Sequence, residues 1–362
     1  MFHGSYLPTD VTFLLKPVDI PSTDIAEKEV LIQSGQRHYS EMITRESLPS
    51  QAYLDTFHEG LKREQKRFAH HLLVLAQQIH LARPQNLALV SLARAGTPIG
   101  VLLTRILRSY HQRELTHYSI SIIRDRGIDA VALQYIVDLH GPEAIVFIDG
   151  WTGKGVIARE LHESVSAFNA KHQVNIDDGL FTVADLCGHA SVAATSEDYL
   201  IPSCVLGATI SGLVSRSILN SDVVGPGDFH GCLFYEEFIP EDLSGWFIEE
   251  VLKEVSQIAQ AKQAETKPAL KQEDFLLLRE KNLRYLSNMQ ERFAVRNINH
   301  IKPGIGEATR VLLRRVPHLL LLHDPNRPEV QHLLQLAREK QVPVRTDAGL
   351  PYLATALIRE LE

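Results

Sequence analysis

The residues best placed to do chemistry lie in two short segments, each following an apolar run. Ile145-Val146-Phe147-Ile148 leads into Asp149-Gly150-Trp151-Thr152-Gly153-Lys154-Gly155. A carboxylate there can hold ribose hydroxyls or a metal bound to them. Thr152 to Gly155 can present a ring of backbone N–H groups, since glycines let a phosphate approach closely and a following helix points its positive end at the same place. Lys154 adds a point charge. Upstream, Leu87–Leu92 leads into Ala93-Arg94-Ala95-Gly96-Thr97-Pro98, a second anion cradle. Between the two, Arg124-Asp125-Arg126-Gly127 sets two cations on a glycine hinge, which suits a loop that closes over a departing anion and excludes water. The alternative is a solvated charged turn. A P-loop needs four residues between its glycines and Ser or Thr after the lysine, whereas two residues separate Gly150 from Gly153 and Gly155 follows Lys154.

The elements that must position these segments read as alternating strands and helices. Residues 52–82 have apolar side chains at three- and four-residue steps, with Lys62, Arg63, Lys66 and Arg67 between them, and predict a long amphipathic helix. Residues 87–92, 118–123, 144–148 and 180–186 are short apolar runs separated by helical stretches. Such runs suit strands buried on both faces of a parallel sheet. In such a sheet, ligands bind at the carboxyl ends of the strands, where the two cradles fall. Residues 1–50 read as irregular around the polar cluster Ser34 to Glu41. The C-terminal end reads as helix over 272–293 and 305–315, strand over 319–322, helix over 328–340, strand over 342–345 and helix over 351–361. The resulting division is an N-terminal hood (1–50), an α/β body (51–264), a linker and helix (265–300) whose linker is Glu265-Thr266-Lys267-Pro268, and a small C-terminal module (301–362).

On the strings around Arg94, Arg124 and Asp149 the body resembles the type I phosphoribosyltransferases. Their pyrophosphate loop is often Arg-(Ala/Gly)-Gly after a strand, and their sugar-phosphate loop is an apolar strand, acids, then Thr-Gly. Those loops usually carry two adjacent acids, where this chain has Asp149 followed by Gly150. Adding Gly4-Ser5-Tyr6, Ser34 to Met42 and Asp185-Leu186-Cys187-Gly188, the chain is similar over nearly its whole length to a family of phosphoribosyltransferase-like proteins with a Pelota-type RNA-binding domain at the C-terminus. That family is associated with tellurite-resistance gene clusters and is also labelled the cysteine protease StiP family.

The resemblance implies a phosphoribosyltransferase-like sheet with helices on both faces and a C-terminal α/β/α sandwich. It implies transfer from phosphoribosyl pyrophosphate to a small acceptor with Mg²⁺. Asp149 would hold the ribose side or the metal, Gly150 and Thr152 to Gly155 the 5′-phosphate, and Arg94, Ala95, Gly96 and Thr97 the pyrophosphate. Arg124 and Arg126 would neutralise the leaving group, while Asp185, His38 and Tyr39 would face the acceptor. Asp149 without a neighbouring acid also fits a pocket that senses a sugar phosphate without turnover. In the C-terminal module, Gly304, Gly306, Glu307, Thr309 and Arg310, with Arg314 and Arg315, resemble the RNA-contacting element of Pelota proteins; Gly306 stands where that element usually has Asn. The alternative is a module that only covers the body or makes a homodimer.

The protease label needs a thiolate, a histidine base and an orienting group. Cys187 with His189 and Cys232 with His230 are the local pairs, but i and i+2 on a strand point to opposite faces. Cys187, His189, Cys204, His230 and Cys232 lack a regular zinc spacing, and small buried cysteines explain them better. Composition bounds the rest. A net charge of −7 over 362 residues excludes a basic coat over the whole surface. The charge is uneven, −11 over residues 1–268 and +4 over 269–362. With three cysteines, no secretory signal and no apolar run long enough to span a bilayer, the expectation is a soluble cytosolic chain.

Overall fold

The computed structural model describes residues 2–261 and 270–358, apart from the Arg314 side chain; the linker proposed at 265–268 lies outside the described residues. In chain order the elements are β1 (Thr12–Leu14), β2 (Lys16–Pro17), α1 (Ile25–Gln33), α2 (Gln51–Ala82), β3 (Ala88–Ala93), α3 (Thr97–His111), β4 (Thr116–Ile123), β5 (Gly127–Ile128), α4 (Ala130–His140), β6 (Ile145–Thr152), α5 (Val156–His172), β7 (Leu180–Asp185), β8 (Val192–Thr195), β9 (Gly231–Cys232) and α6 (Ser244–Gln260). The C-terminal module adds α7 (Gln272–Phe293), β10 (Ile301–Pro303), α8 (Ile305–Arg314), β11 (Pro317–Leu322), α9 (Gln331–Glu339), β12 (Val344–Thr346) and β13 (Ala354–Ile358).

The central sheet has the order β1-β4-β3-β6-β7-β8, all parallel, with β5 folded back antiparallel on β4. Alternate residues of the same strand feed two cores, as the pleat requires. Leu89, Val146, Ile148 and Val183 pack with α2, α3 and α6. Ala88, Val90, Leu92, Ile145 and Phe147 pack with α4 and α5 on the other face. Phe247 of α6 lies fully buried against Phe57 and Phe68 of α2.

The C-terminal module is a four-stranded sheet, β10-β13-β11-β12, with β11–β12 parallel and the other pairs antiparallel. Leu319, Leu321 and Leu357 face α7. Leu320, Leu322, Ala354 and Ala356 face α8 and α9 and merge with the core of the body. The two parts therefore share one apolar core, and the hydroxyl of Tyr53 on α2 donates to the Leu313 carbonyl at the end of α8.

Three sequence expectations are corrected here. Residues 351–361 were expected to be helical, yet Ala354–Ile358 is a strand flanked by two partners. Ladder pairing on both edges and burial on both faces outweigh the modest helix propensity of Ala and Leu. The N-terminal 50 residues are not wholly irregular. Asp24 caps α1 by accepting from the Ala26 N–H at 2.8 Å, but no residue of α1 is buried, so no apolar stripe announced it. Third, β6 runs on through Asp149 to Thr152 because its pairing with β7 continues to Thr152 opposite Asp185. Asp149 is a strand residue and the turn shrinks to Gly153-Lys154-Gly155. No helix among the described residues is long and apolar enough to cross a membrane.

Phe247→Ala should cost about 3–5 kcal/mol in urea unfolding, since it opens a void between α2 and α6. A loss below about 1 kcal/mol would show that the α2–α6 contact is not part of the cooperative core.

Candidate functional site

The carboxyl ends of the strands, where a ligand was expected, are covered by the protein's own C-terminal module. Asp198, in the segment after β8, is buried and accepts the Ile305 N–H at the start of α8 and the Leu353 N–H before β13, both at 2.8 Å. Gly304 has φ +90°, and a Cβ there would lie 2.5 Å from Leu186 Cδ1. Only glycine permits both the turn and the approach.

This docking fills the proposed phosphate cradle. Lys154 Nζ donates to the Ile298 carbonyl. Burial and the neighbouring Lys302 push its ammonium down to about 7. A Cβ on Gly153 would meet Glu307 Cγ at 3.9 Å, and Gly155, at φ +73°, lies under the His189 ring. The Arg310 guanidinium sits 5.5 Å over the Trp151 ring. Asp149 accepts from its neighbour Gly150 at 2.7 Å. Burial pushes its carboxyl up to about 7, against the pull of Arg310. Such a carboxyl is a poor ligand for Mg²⁺, which needs an ionised oxygen and keeps most of its waters. No group of three or more His, Cys, Asp or Glu among the described residues could hold a metal ion. The residues present do not fit the expected Mg²⁺.

Other expected ligand groups are engaged within the fold. Arg94 pairs with Glu46 at 2.5 Å and donates to the Val214 carbonyl at 2.7 Å. Ala95 is half-buried, Gly96 packs under the Ile148 carbonyl, and the Thr97 hydroxyl is bonded to Ser119 at 2.7 Å inside the sheet. Asp185 accepts from the Thr152 hydroxyl and from the N–H groups of Cys187, Gly188 and Ala190, so both its oxygens hold the turn after β7. The hood segment, expected to face an acceptor, packs onto the Arg124 to Gly127 turn. The Arg124 N–H donates to the Tyr39 hydroxyl at 2.9 Å, Arg126 pairs with Glu41 at 3.3 Å, and His38 is bonded to Ser40 beside them.

The expected RNA contacts also turn inward. Gly304 and Gly306 pack on Leu186 and Cys204. Thr309 is buried, bonded to the Ile305 carbonyl and His332. Glu307 faces Lys302 at 3.5 Å and Arg310 at 3.8 Å. Burial would raise its carboxyl, but Arg310, Lys302 and Lys154 outweigh that and hold it below its ordinary value. Arg315 is exposed, and the Arg314 side chain lies outside the described ones.

All three thiols are buried. Cys187 Sγ faces the Tyr352 hydroxyl at 3.5 Å, and burial pushes its thiol up to about 12. Cys232 is enclosed and likewise pushed up to about 12 by burial. Their histidine neighbours turn away, His189 onto Gly155 and His230 onto the Ser121 hydroxyl at 2.8 Å.

Cys204 instead lines a cavity of about 20 Å³ with Trp151, Thr152, Tyr199, Gly306 and Glu307. A Cβ on Gly306, in the first turn of α8, would lie 3.8 Å from Cys204 Sγ. The Tyr199 hydroxyl is bonded to His71 Nδ1 at 3.0 Å. Glu64, one heptad before His71 on α2, is buried too. Sequence spacing could not find this set, because His71 on α2 is far in the chain from Tyr199 and Cys204, which share the segment after β8.

Asp198 yields a pH prediction. Burial raises its carboxyl from 3.8 to about 6 despite the N–H groups it accepts. An acid raised in the folded state contributes stability that is complete below 3.8 and is lost as pH rises through about 6. The melting temperature of the parent should therefore fall relative to Asp198→Asn between about pH 4 and 6 and run parallel above about pH 7, a loss of up to about 3 kcal/mol. Parallel curves across the whole range would remove Asp198 from this role.

Residues 4–252 match the family model described as tellurite-like stress resistance cysteine protease StiP, and residues 280–360 match the PELOTA RNA binding domain. The chain is 39% identical over 373 residues to the "Cysteine protease StiP" of Acinetobacter baylyi, a match covering 99% of this chain and 95% of that protein. These matches correct the expected activity. The family and the relative are named for a cysteine protease, a hydrolase, and not for a glycosyltransferase using phosphoribosyl pyrophosphate.

Proposed function

The chain belongs to the StiP family, and on that premise we propose that it is a cysteine-dependent hydrolase of peptide bonds with Cys204 as nucleophile. The observation that carries this reading is the position of Cys204 in the cavity wall, beside the start of α8 and near the Tyr199–His71 pair. Cys187 and Cys232 are disfavoured because burial holds both as neutral thiols.

In this reading the Cys204 thiol loses its proton through the Tyr199 hydroxyl to His71. The sulfur then forms a bond to the substrate carbonyl carbon. The C–N bond breaks as the leaving amine takes the proton back, and water hydrolyses the resulting thioester and restores the thiol. The α8 start stabilises the thiolate, while the Glu64 carboxylate is held by Arg63 at 2.8 Å and Arg67 at 3.6 Å. The match of residues 280–360 supports reading the C-terminal module as a binder of structured RNA.

Cleavage of an unfolded protein substrate separates the thiols. Cys204→Ala should lower turnover by about 10⁴-fold or more, and His71→Ala by about 10²–10⁴-fold. Cys187→Ser and Cys232→Ser should stay within about threefold if they fold. Full activity in Cys204→Ala would sink the assignment.

A further inference from the structure

The Cys204 cavity has room for about one water. No polypeptide reaches the sulfur while Gly306 and Glu307 form part of its wall, so a substrate of the proposed kind requires the C-terminal module to part from the strand ends. The seam that must open is rich in cations. Lys302 and Arg310 from the module and Lys154 from the body surround the ionised carboxylate of Glu307, while the nearby Asp149 is pushed toward neutrality by burial. Arg310 is held over Trp151, and the Lys154 ammonium donates a hydrogen bond to a backbone carbonyl.

We propose that this inward face of the module is its RNA-binding face, and that RNA opens the Cys204 pocket by holding the module away from the strand ends. The inference rests on the proposed function. Closure and RNA use the same side chains. Arg310 cannot stack on Trp151 and contact a phosphate at full strength together, and a phosphate run would neutralise the surplus cations that closure leaves facing one acid. Two events that compete for one surface are linked reciprocally, so whatever RNA gains from the open form is the factor by which it shifts the protein open. Opening breaks the apolar core that α8 and α9 share with the body and the two bonds to Asp198, and releasing Lys154, whose ammonium burial pushes down to about 7, offsets part of that cost.

Full-length protein and a bulged hairpin RNA test this by two readouts. In a Cys204→Ser background, Gly153→Cys with Glu307→Cys places two thiols across the seam. Oxidation should weaken RNA binding by at least about tenfold relative to the same protein reduced. In protein with its native Cys204, the hairpin should speed alkylation of that thiol by at least about tenfold, and Trp151→Ala should speed it without RNA. Equal affinity of the oxidised and reduced forms, failure of the hairpin to bind either, or alkylation unchanged by RNA would overturn the proposal. Alkylation reports access to the sulfur whether or not it is catalytic. A Cys204→Ala variant that keeps full proteolysis therefore sinks the catalytic assignment without touching the gate.

Discussion

One buried carboxylate, Asp198, governs how the parts of this protein meet. A carboxylate removed from water costs several kcal/mol unless hydrogen bonds replace its hydration. Here the replacement comes from the Ile305 and Leu353 N–H groups of the C-terminal module. Those bonds fix the start of α8 over the ends of β6 and β7. The apolar faces of α8 and α9 then complete a core that the body's strands and α2 leave open on that side. With the module in place, every group at the strand ends has a different environment from the one its local sequence suggests.

The seam shows how docking changes chemistry. Lys154, Asp149 and Glu307 are ordinary surface charges by sequence. Enclosed together, the first two are pushed toward neutrality by burial, while the third is held ionised by three cations. The turn that looked like a phosphate cradle receives a backbone carbonyl, a carboxylate side chain and an imidazole in place of phosphate oxygens. The thiols sort by the same principle. Burial pushes the Cys187 and Cys232 thiols up and keeps them neutral, while Cys204 lies beside the start of α8.

Much of the fold was legible because local periodicity carries it. The apolar runs and the stripe along α2 produce strands and helices wherever they stand, and α2, α7 and α8 begin and end within a residue or two of the expectation. The motif strings identified the family while pointing to the wrong chemistry. A strand, an acid and Thr-Gly describe a turn, and a turn is compatible with a ligand or with the chain's own surface.

The sequence by itself determined the parallel α/β body, the basic character of the C-terminal end and the kinship of the chain, since each follows from composition, period or contiguous strings. Tertiary structure alone decided which thiol meets a cavity and what covers the strand ends. His71 and Gly306 are far in the chain from Asp198, Tyr199 and Cys204, which are close neighbours in it. Their proximity depends on how two sheets pack, a long-range outcome that no local period encodes. The strand at Ala354–Ile358 makes the same point at the level of a single element, where partners on both edges overrode a segment that would be helical in isolation.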